Sequence, residues 1–335
     1  MRRKIVQQGT ATLMVSLPVA WARSNGITKG VEVEVQEQKD RVIILPTTES
    51  AVSRVEIDVT GMADQLLREI ESVEGTKERK TYRDPETFKT VRQAMLRMLA
   101  SLYKAGYDEI RITFEHPGTI NLIQEALGDE LSEYEIVEQG RNHCVLQDIS
   151  GVLKERFDPA IRRIFYLLQQ MADDSLPLIA NGQQRELGPV RFLETSNNRF
   201  TTFCRRLLSK KGHPDPAKVP FLYLILDRLE MIADQYKYLF DYLLAHPDAR
   251  IGKPVAAEYA RLATFLREYH EFYAATHEKE RLVRLQAMRN LLVRQVHTLF
   301  DKATTEEKML LHYILTITQL IFELMEPTFA LGVNQ

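Results

Sequence analysis

Leu13-Met14-Val15-Ser16-Leu17-Pro18 and Val31-Glu32-Val33-Glu34-Val35-Gln36 decide how this chain begins. In both, apolar residues recur at the two-residue period of a half-buried strand. Pro18 opens a two-turn helix that ends at Asn25-Gly26, a pair suited to the left-handed C-terminal position. After Thr28-Lys29-Gly30 the Val31 to Val35 strand runs to a turn at Gln38-Lys39-Asp40, and Val42 to Leu45 returns as a strand closed by Pro46. The range 1–46 therefore reads as a β-rich module with no long helix. A unit of that size buries too little surface to be stable alone, and it has no Cys or His with which to build a disulfide or metal staple. A second copy of the chain is the expected staple, which makes the protein a homodimer.

Outward from this module the period changes twice. Over 52–150, Val55, Ile57 and Val59 alternate as a strand and Ile110, Ile112 and Phe114 repeat the device. Asp84-Pro85-Glu86 starts a helix through Met95, Leu99 and Leu102, a second helix lies near Thr119 to Leu127, and Tyr134 to Val137 and Cys144 to Ile149 read as further strands. Alternating strands and helices predict a small α/β sandwich. Glu74 to Arg83 is charged and aperiodic, an exposed insertion. Over 151–335 the period is helical throughout, with six segments carrying apolar residues at steps of three and four. They are broken at Asn181-Gly182, Lys211-Gly212-His213-Pro214, Gly252-Lys253-Pro254 and Thr304-Thr305. Three long helices followed by three more suggest an internal duplication. The fold class expected is multi-domain α+β, with domains at 1–47, 52–150 and 151–335.

Composition limits the function classes. Length suggests two or three domains, and 44% apolar residues suffice for real cores. Two cysteines, Cys144 and Cys204, are too few for a disulfide scaffold or a four-thiolate zinc site, so a reducing cytoplasm is the expected location. The apolar run Met309 to Phe322, about 14 residues, falls short of the ~20 that span a bilayer. Met1-Arg2-Arg3-Lys4 is not followed by an apolar core, so neither membrane insertion nor a secretory signal is expected. Net charge is −2 overall, but residues 1–46 carry seven cations against four anions, a net of +3. A small basic cap sits on an acidic remainder.

No Gly-rich phosphate loop, dinucleotide fingerprint, HExxH, GxSxG or paired CxxC occurs, so the chain is not expected to be an enzyme. His270 and His277 lie seven residues apart, two helical turns and roughly 10 Å, too far to share an ion. Asn197 occupies an apolar seam position between Leu193 and Phe200 and needs a hydrogen-bond partner if buried.

Two resemblances sharpen this reading. Arg3-Lys4-Ile5, Gly9, Leu17-Pro18, Trp21-Ala22-Arg23, Gly26-Ile27, Lys29-Gly30, the Val31 to Val35 alternation and Val42-Ile43-Ile44-Leu45 resemble the swapped-hairpin domain of the AbrB/MazE/SpoVT transition-state regulators. The resemblance implies that two chains interleave hairpins into one barrel-like dimer. It also implies that Arg2, Arg3 and Lys4 on the first strand and Arg23 on the short helix face DNA. Thr10-Ala11-Thr12-Leu13-Met14 departs from the family, which usually has an Arg just after the Gly turn.

The helical half carries the second. Leu229-Glu230-Met231-Ile232-Ala233-Asp234 resembles the signature of the PhoU family of phosphate-uptake regulators, and Glu194-Thr195-Ser196-Asn197-Asn198-Arg199 resembles its upstream acidic run. This implies a six-helix PhoU-like double three-helix bundle, and the two modules in series are similar to a known archaeal arrangement. In that family carboxylates from neighbouring helices hold a multinuclear cluster. The resemblance therefore implies a divalent or iron-type metal at Glu194, Asp227, Glu230 and Asp234, with Asn198 standing where the family has Asp. Read from the residues alone, the same acids form a solvated stripe with Asp234 paired to Lys237 at i+3.

Together these lead to a DNA-binding transcription regulator of phosphate uptake or homeostasis, whose helical region senses a signal or partner. Two other readings stay open. One is an adaptor that regulates a phosphate transporter or signalling protein by contact; the other is a metal-dependent hydrolase using Asp227, Glu230 and Asp234.

Overall fold

A computed structural model describes residues 2–38, 41–46, 52–62, 85–131, 133–149, 157–275 and 279–332. The expected insertion at Glu74 to Arg83, and His277, lie outside the described residues.

The N-terminal module is two hairpins joined through a short helix. Strands β1 (Ile5–Gln8) and β2 (Thr12–Val15) pair antiparallel, with Ile5 opposite Val15 and Gln8 opposite Thr12. Helix α1 (Val19–Ser24) follows Pro18 and ends at Asn25, whose Nδ2 donates to the Trp21 carbonyl at 2.9 Å. Gly26 then takes φ 66°, the left-handed conformation its sequence position called for. Strands β3 (Val33–Gln38) and β4 (Arg41–Pro46) make the second hairpin. Three expectations need correction. Arg2, Arg3 and Lys4 precede the first strand instead of lying on it, β2 stops at Val15 before Leu17, and β3 starts two residues after Val31.

Within one chain the two hairpins form separate two-stranded sheets. Before residue 47 no side chain whose exposure is described is buried, and Ile5, Val6, Leu13, Met14, Val15, Val19, Val35 and Val42 all count among the exposed apolar side chains. The hydrophobic cores lie elsewhere, one in the middle domain and one in the helical region.

The middle domain is a four-stranded sheet in the order β5-β6-β8-β7, built from β5 (Arg54–Asp58), β6 (Glu109–Thr113), β7 (Tyr134–Gln139) and β8 (His143–Asp148). β5 and β6 are parallel and the other pairs antiparallel. Helices α2 (Pro85–Ala105) and α3 (Thr119–Glu130) supply Met95, Leu99, Ile123 and Ala126 to a core shared with Ile110, Ile112, Cys144 and Leu146. Along β6 the buried Ile110 and Ile112 alternate with half-buried Glu109, Arg111 and Thr113, the pattern of a sheet covered by helices on one face.

Six long helices follow: α4 (Phe157–Ala180), α5 (Leu193–Lys211), α6 (Val219–Ala245), α7 (Lys253–Ala274), α8 (Lys279–Phe300) and α9 (Thr305–Glu323), with the short α10 (Met325–Gly332) at the end. Their boundaries fall at the breaks the sequence marks, except that between α7 and α8, which no marked break foretells. Gly212 caps α5, Gly252 caps α7 with Pro254 in its first turn, and Thr304 and Glu307 form a reciprocal capping box at the start of α9. Helices α4, α5 and α6 pack on one another, as do α7, α8 and α9, and the sets join through α6 against α9 and α4 against α7. One continuous core runs through all six.

The stretch Thr305–Gly332 is long and apolar enough to cross a bilayer by composition, longer than the 14-residue run counted in the sequence. Leu310, Leu311, Ile314, Ile317 and Ile321 are nevertheless buried inside the bundle, as expected of a core helix.

Candidate nucleic-acid interface and acidic seam

Arg2, Arg3 and Lys4 are exposed immediately before β1, and Arg23 is exposed in the last turn of α1. The helix is too short to hold itself. Its end is fixed by Asn25 and by Ser24, whose hydroxyl donates to the Trp21 carbonyl at 2.9 Å, and the Ile27 amide closes onto the Ala22 carbonyl. Arg2, Arg3 and Lys4 directly precede Ile5 in the chain, and Arg23 follows Val19 in α1 by four residues.

The four acids of the helical region are brought together along the α5–α6 seam, and each meets a cation of the same chain. Glu194 of α5 is buried and accepts from Lys237 Nζ and from Asn198 Nδ2, both at 2.6 Å. Lys237 also donates to Asp234 at 2.5 Å, which is the i+3 pair read from the sequence. Glu230 accepts from Arg205, from Thr201 Oγ1 at 3.1 Å and from Lys104 of α2 at 3.5 Å. Asp227 lies 3.2 Å from Arg205 and 3.3 Å from Arg228, and Arg228 also reaches Glu323 at 3.0 Å. Burial lifts the Glu194 carboxyl above its ordinary pKa, opposed by the Lys237 bond. Burial works against the Lys237 ammonium, but Asp234 and Glu194 outweigh it and hold its pKa above the usual lysine value. Among the described residues no group of three or more His, Cys, Asp or Glu side chains is placed to hold a metal ion.

A second polar cluster has no counterpart in the sequence reading. Helix α5 is covered on one side by α4 and α6 and on the other by α2 and α3 of the middle domain. Arg206, 1% exposed, crosses that joint. Its Nη2 donates to Asp148 at 2.6 Å and to Asp108 at 3.1 Å, its Nη1 donates to the Tyr103 carbonyl at 2.8 Å, and its guanidinium lies 4.5 Å from the Tyr103 ring centroid. Lys210 adds a second cation on Asp108. Tyr134, edge-on to Tyr103 at 5.1 Å, donates to the Tyr107 carbonyl at 2.6 Å, and its burial pushes the phenol pKa up. Gly106, at φ 96°, ends α2 against Lys210, and a Cβ there would stand 2.8 Å from the lysine Cγ. Apolar periodicity missed this joint because it places Arg206 on the flank of the Cys204–Leu207 seam, which a lone bundle would leave in water. The available signal was the Arg205-Arg206 pair on a helix that also carries Thr201-Thr202 and Asn197-Asn198.

Asn197 is fully buried, with its Nδ2 3.4 Å from the Ile164 carbonyl. His270 is half-buried and stacks on Phe165 at 4.4 Å with the rings nearly parallel. It packs within the helical region.

Residues 6–52 match the family described as antidote-toxin recognition MazE, bacterial antitoxin. No curated protein and no solved structure matches the chain. The matched range starts one residue into β1, holds the rest of both hairpins and α1, and ends before β5, so the phosphate-regulator likeness of the helical region rests on its own motif. The chain thus carries a MazE/AbrB-like domain at its N-terminus, followed by residues 53–335 that this family does not cover.

Proposed function

We propose that this chain is a homodimeric, cytoplasmic DNA-binding transcription regulator that acts by binding and not by catalysis. One observation carries the reading: the MazE/AbrB-like range presents its apolar strand residues to solvent, and Arg23 within it and Arg2, Arg3 and Lys4 just before it are exposed as well. Burying each such side chain in a shared core is worth about 1.5–3 kcal/mol. The set supplied by two copies therefore outweighs an association cost of about 4–15 kcal/mol. Pairing doubles the cationic surface, and cations neutralising DNA phosphates release counterions, so binding weakens steeply with salt.

The finer part of the proposal is regulation of phosphate uptake or homeostasis, with a PhoU-like helical region as sensor or partner-binding unit. The Leu229 to Asp234 motif and the two mutually packed sets of three helices support it. The test is an electrophoretic shift of generic duplex DNA by the full chain at low salt. Binding lost with salt and weakened in Arg3→Ala and Arg23→Ala is the expected result; absence of binding, or binding indifferent to both substitutions, removes the reading. The phosphate assignment is tested by transcript levels in a deletion strain. Changes confined to phosphate-transport genes support it, and an unchanged phosphate response refutes it.

A further inference from the structure

Lys104, Arg205, Arg228 and Lys237 face Asp227, Glu230, Glu194 and Asp234 along the α5–α6 seam, with Arg228 shared with Glu323 of α9. The placement is specific. Lys237 Nζ sits 2.6 Å from a carboxylate of α5 and 2.5 Å from a carboxylate of α6, the bridging position that an ion shared by the two helices would take. Arg205 bridges Asp227 and Glu230 one turn along. Asn198, where the phosphate-regulator resemblance implies an acid, spends its amide as a donor to the same Glu194 oxygen that Lys237 holds.

We propose that this seam is neutralised from within: ammonium and guanidinium groups of the chain are its cations, and it takes no divalent or iron-type metal. A hard cation needs several oxygens turned toward it with their lone pairs free. Here Glu194 is 6% exposed at its side chain and already satisfied by Lys237, Asn198 and Thr195, and Glu230 by Arg205, Thr201 and Lys104. A metal between Glu194 and Asp234 displaces Lys237, whose side chain is 17% exposed, and leaves an ammonium beside a divalent ion in a poorly solvated place. Lys104 comes from the middle domain, so the same charges that exclude metal also fasten that domain to the bundle. The joint is then fixed by the chain itself and not gated by an ion. This inference stands apart from the DNA reading.

The experiment uses the full chain, with metal content measured after purification and melting temperature measured with and without millimolar Mn2+. The wild type is expected to hold no stoichiometric metal and to show no shift with Mn2+. Lys237→Met leaves Glu194 and Asp234 without their cation. It is expected to melt lower and to regain about 3 °C or more with Mn2+, the shift that about 1 kcal/mol of binding produces in a chain of moderate size. Stoichiometric metal in the wild type that is lost in Glu194→Gln overturns the proposal, as does a Mn2+ shift in the wild type or none in a folded Lys237→Met. Should Lys237→Met fail to fold, the wild type against Glu194→Gln decides alone.

Discussion

Arg206 on α5 and Asp148 at the end of β8, 58 positions apart in the chain, meet at 2.6 Å with side chains only 1% and 4% exposed. The pair closes the joint between the middle domain and the helical region. With Arg199 on the Gly128 carbonyl at 3.1 Å, it makes α5 a member of both units, and Lys104 on Glu230 ties α2 to α6 beside it.

Arg206→Ala leaves Asp148 buried without its cation. Removing one partner of such a pair costs about 3–5 kcal/mol. The expected outcome is a lower urea midpoint in equilibrium unfolding, with a separate transition for the middle domain as its fastening is lost. A change under about 1 kcal/mol contradicts the geometry.

Gly106→Ala places a Cβ at φ 96° against Lys210. The left-handed backbone costs about 1–2 kcal/mol, and the lysine stem must also move. The substitution should lower the melting temperature by several degrees, whereas Gly128→Ala, where added bulk meets nothing within 4 Å, should be mild. Comparing the two melting curves checks this.

The two thiols should be inert in the native protein. Burial pushes Cys144 up to about 11, and burial together with the Asp158 charge pushes Cys204 up to about 12. Since the thiolate is the reactive form, a thiol-specific disulfide reagent near neutral pH should label neither cysteine until denaturant is added. Rapid labelling of the folded chain contradicts their burial.

His270 sets a pH dependence of known sign. Burial against Phe165 holds its pKa below the ordinary value of 6.5, opposed weakly by Glu271. As pH falls below that value the unfolded chain takes up a proton that the folded chain resists, so this residue's contribution to stability falls. His270→Phe should flatten the decline in urea midpoint between neutral and mildly acidic pH. A steeper decline in the variant refutes the assignment.

Local chemistry made most of the elements legible. Proline, glycine and the Thr304-Thr305 break mark helix ends that the structure places within a residue or two, because capping involves neighbours in sequence. The strands of the middle domain follow from alternation in Val55 to Ile57 and Ile110 to Ile112. Pairing across long separations was not legible: Lys104 with Glu230, Arg206 with Asp108 and Asp148, and Arg205 with Asp227 each join charges that a one-dimensional pattern leaves in solvent. Of the acidic stripe, the Asp234–Lys237 contact was read from its i+3 spacing, and it is there. The N-terminal module was legible because its alternation demands a core that one copy does not provide.

Molar mass by light scattering on the full chain tests that demand most directly. The expected value is twice the 38.7 kDa of one chain, falling to a single chain when residues 1–49 are removed. A monomer of 38.7 kDa with its two hairpins intact would contradict the shared core and, with it, the paired DNA-binding surface.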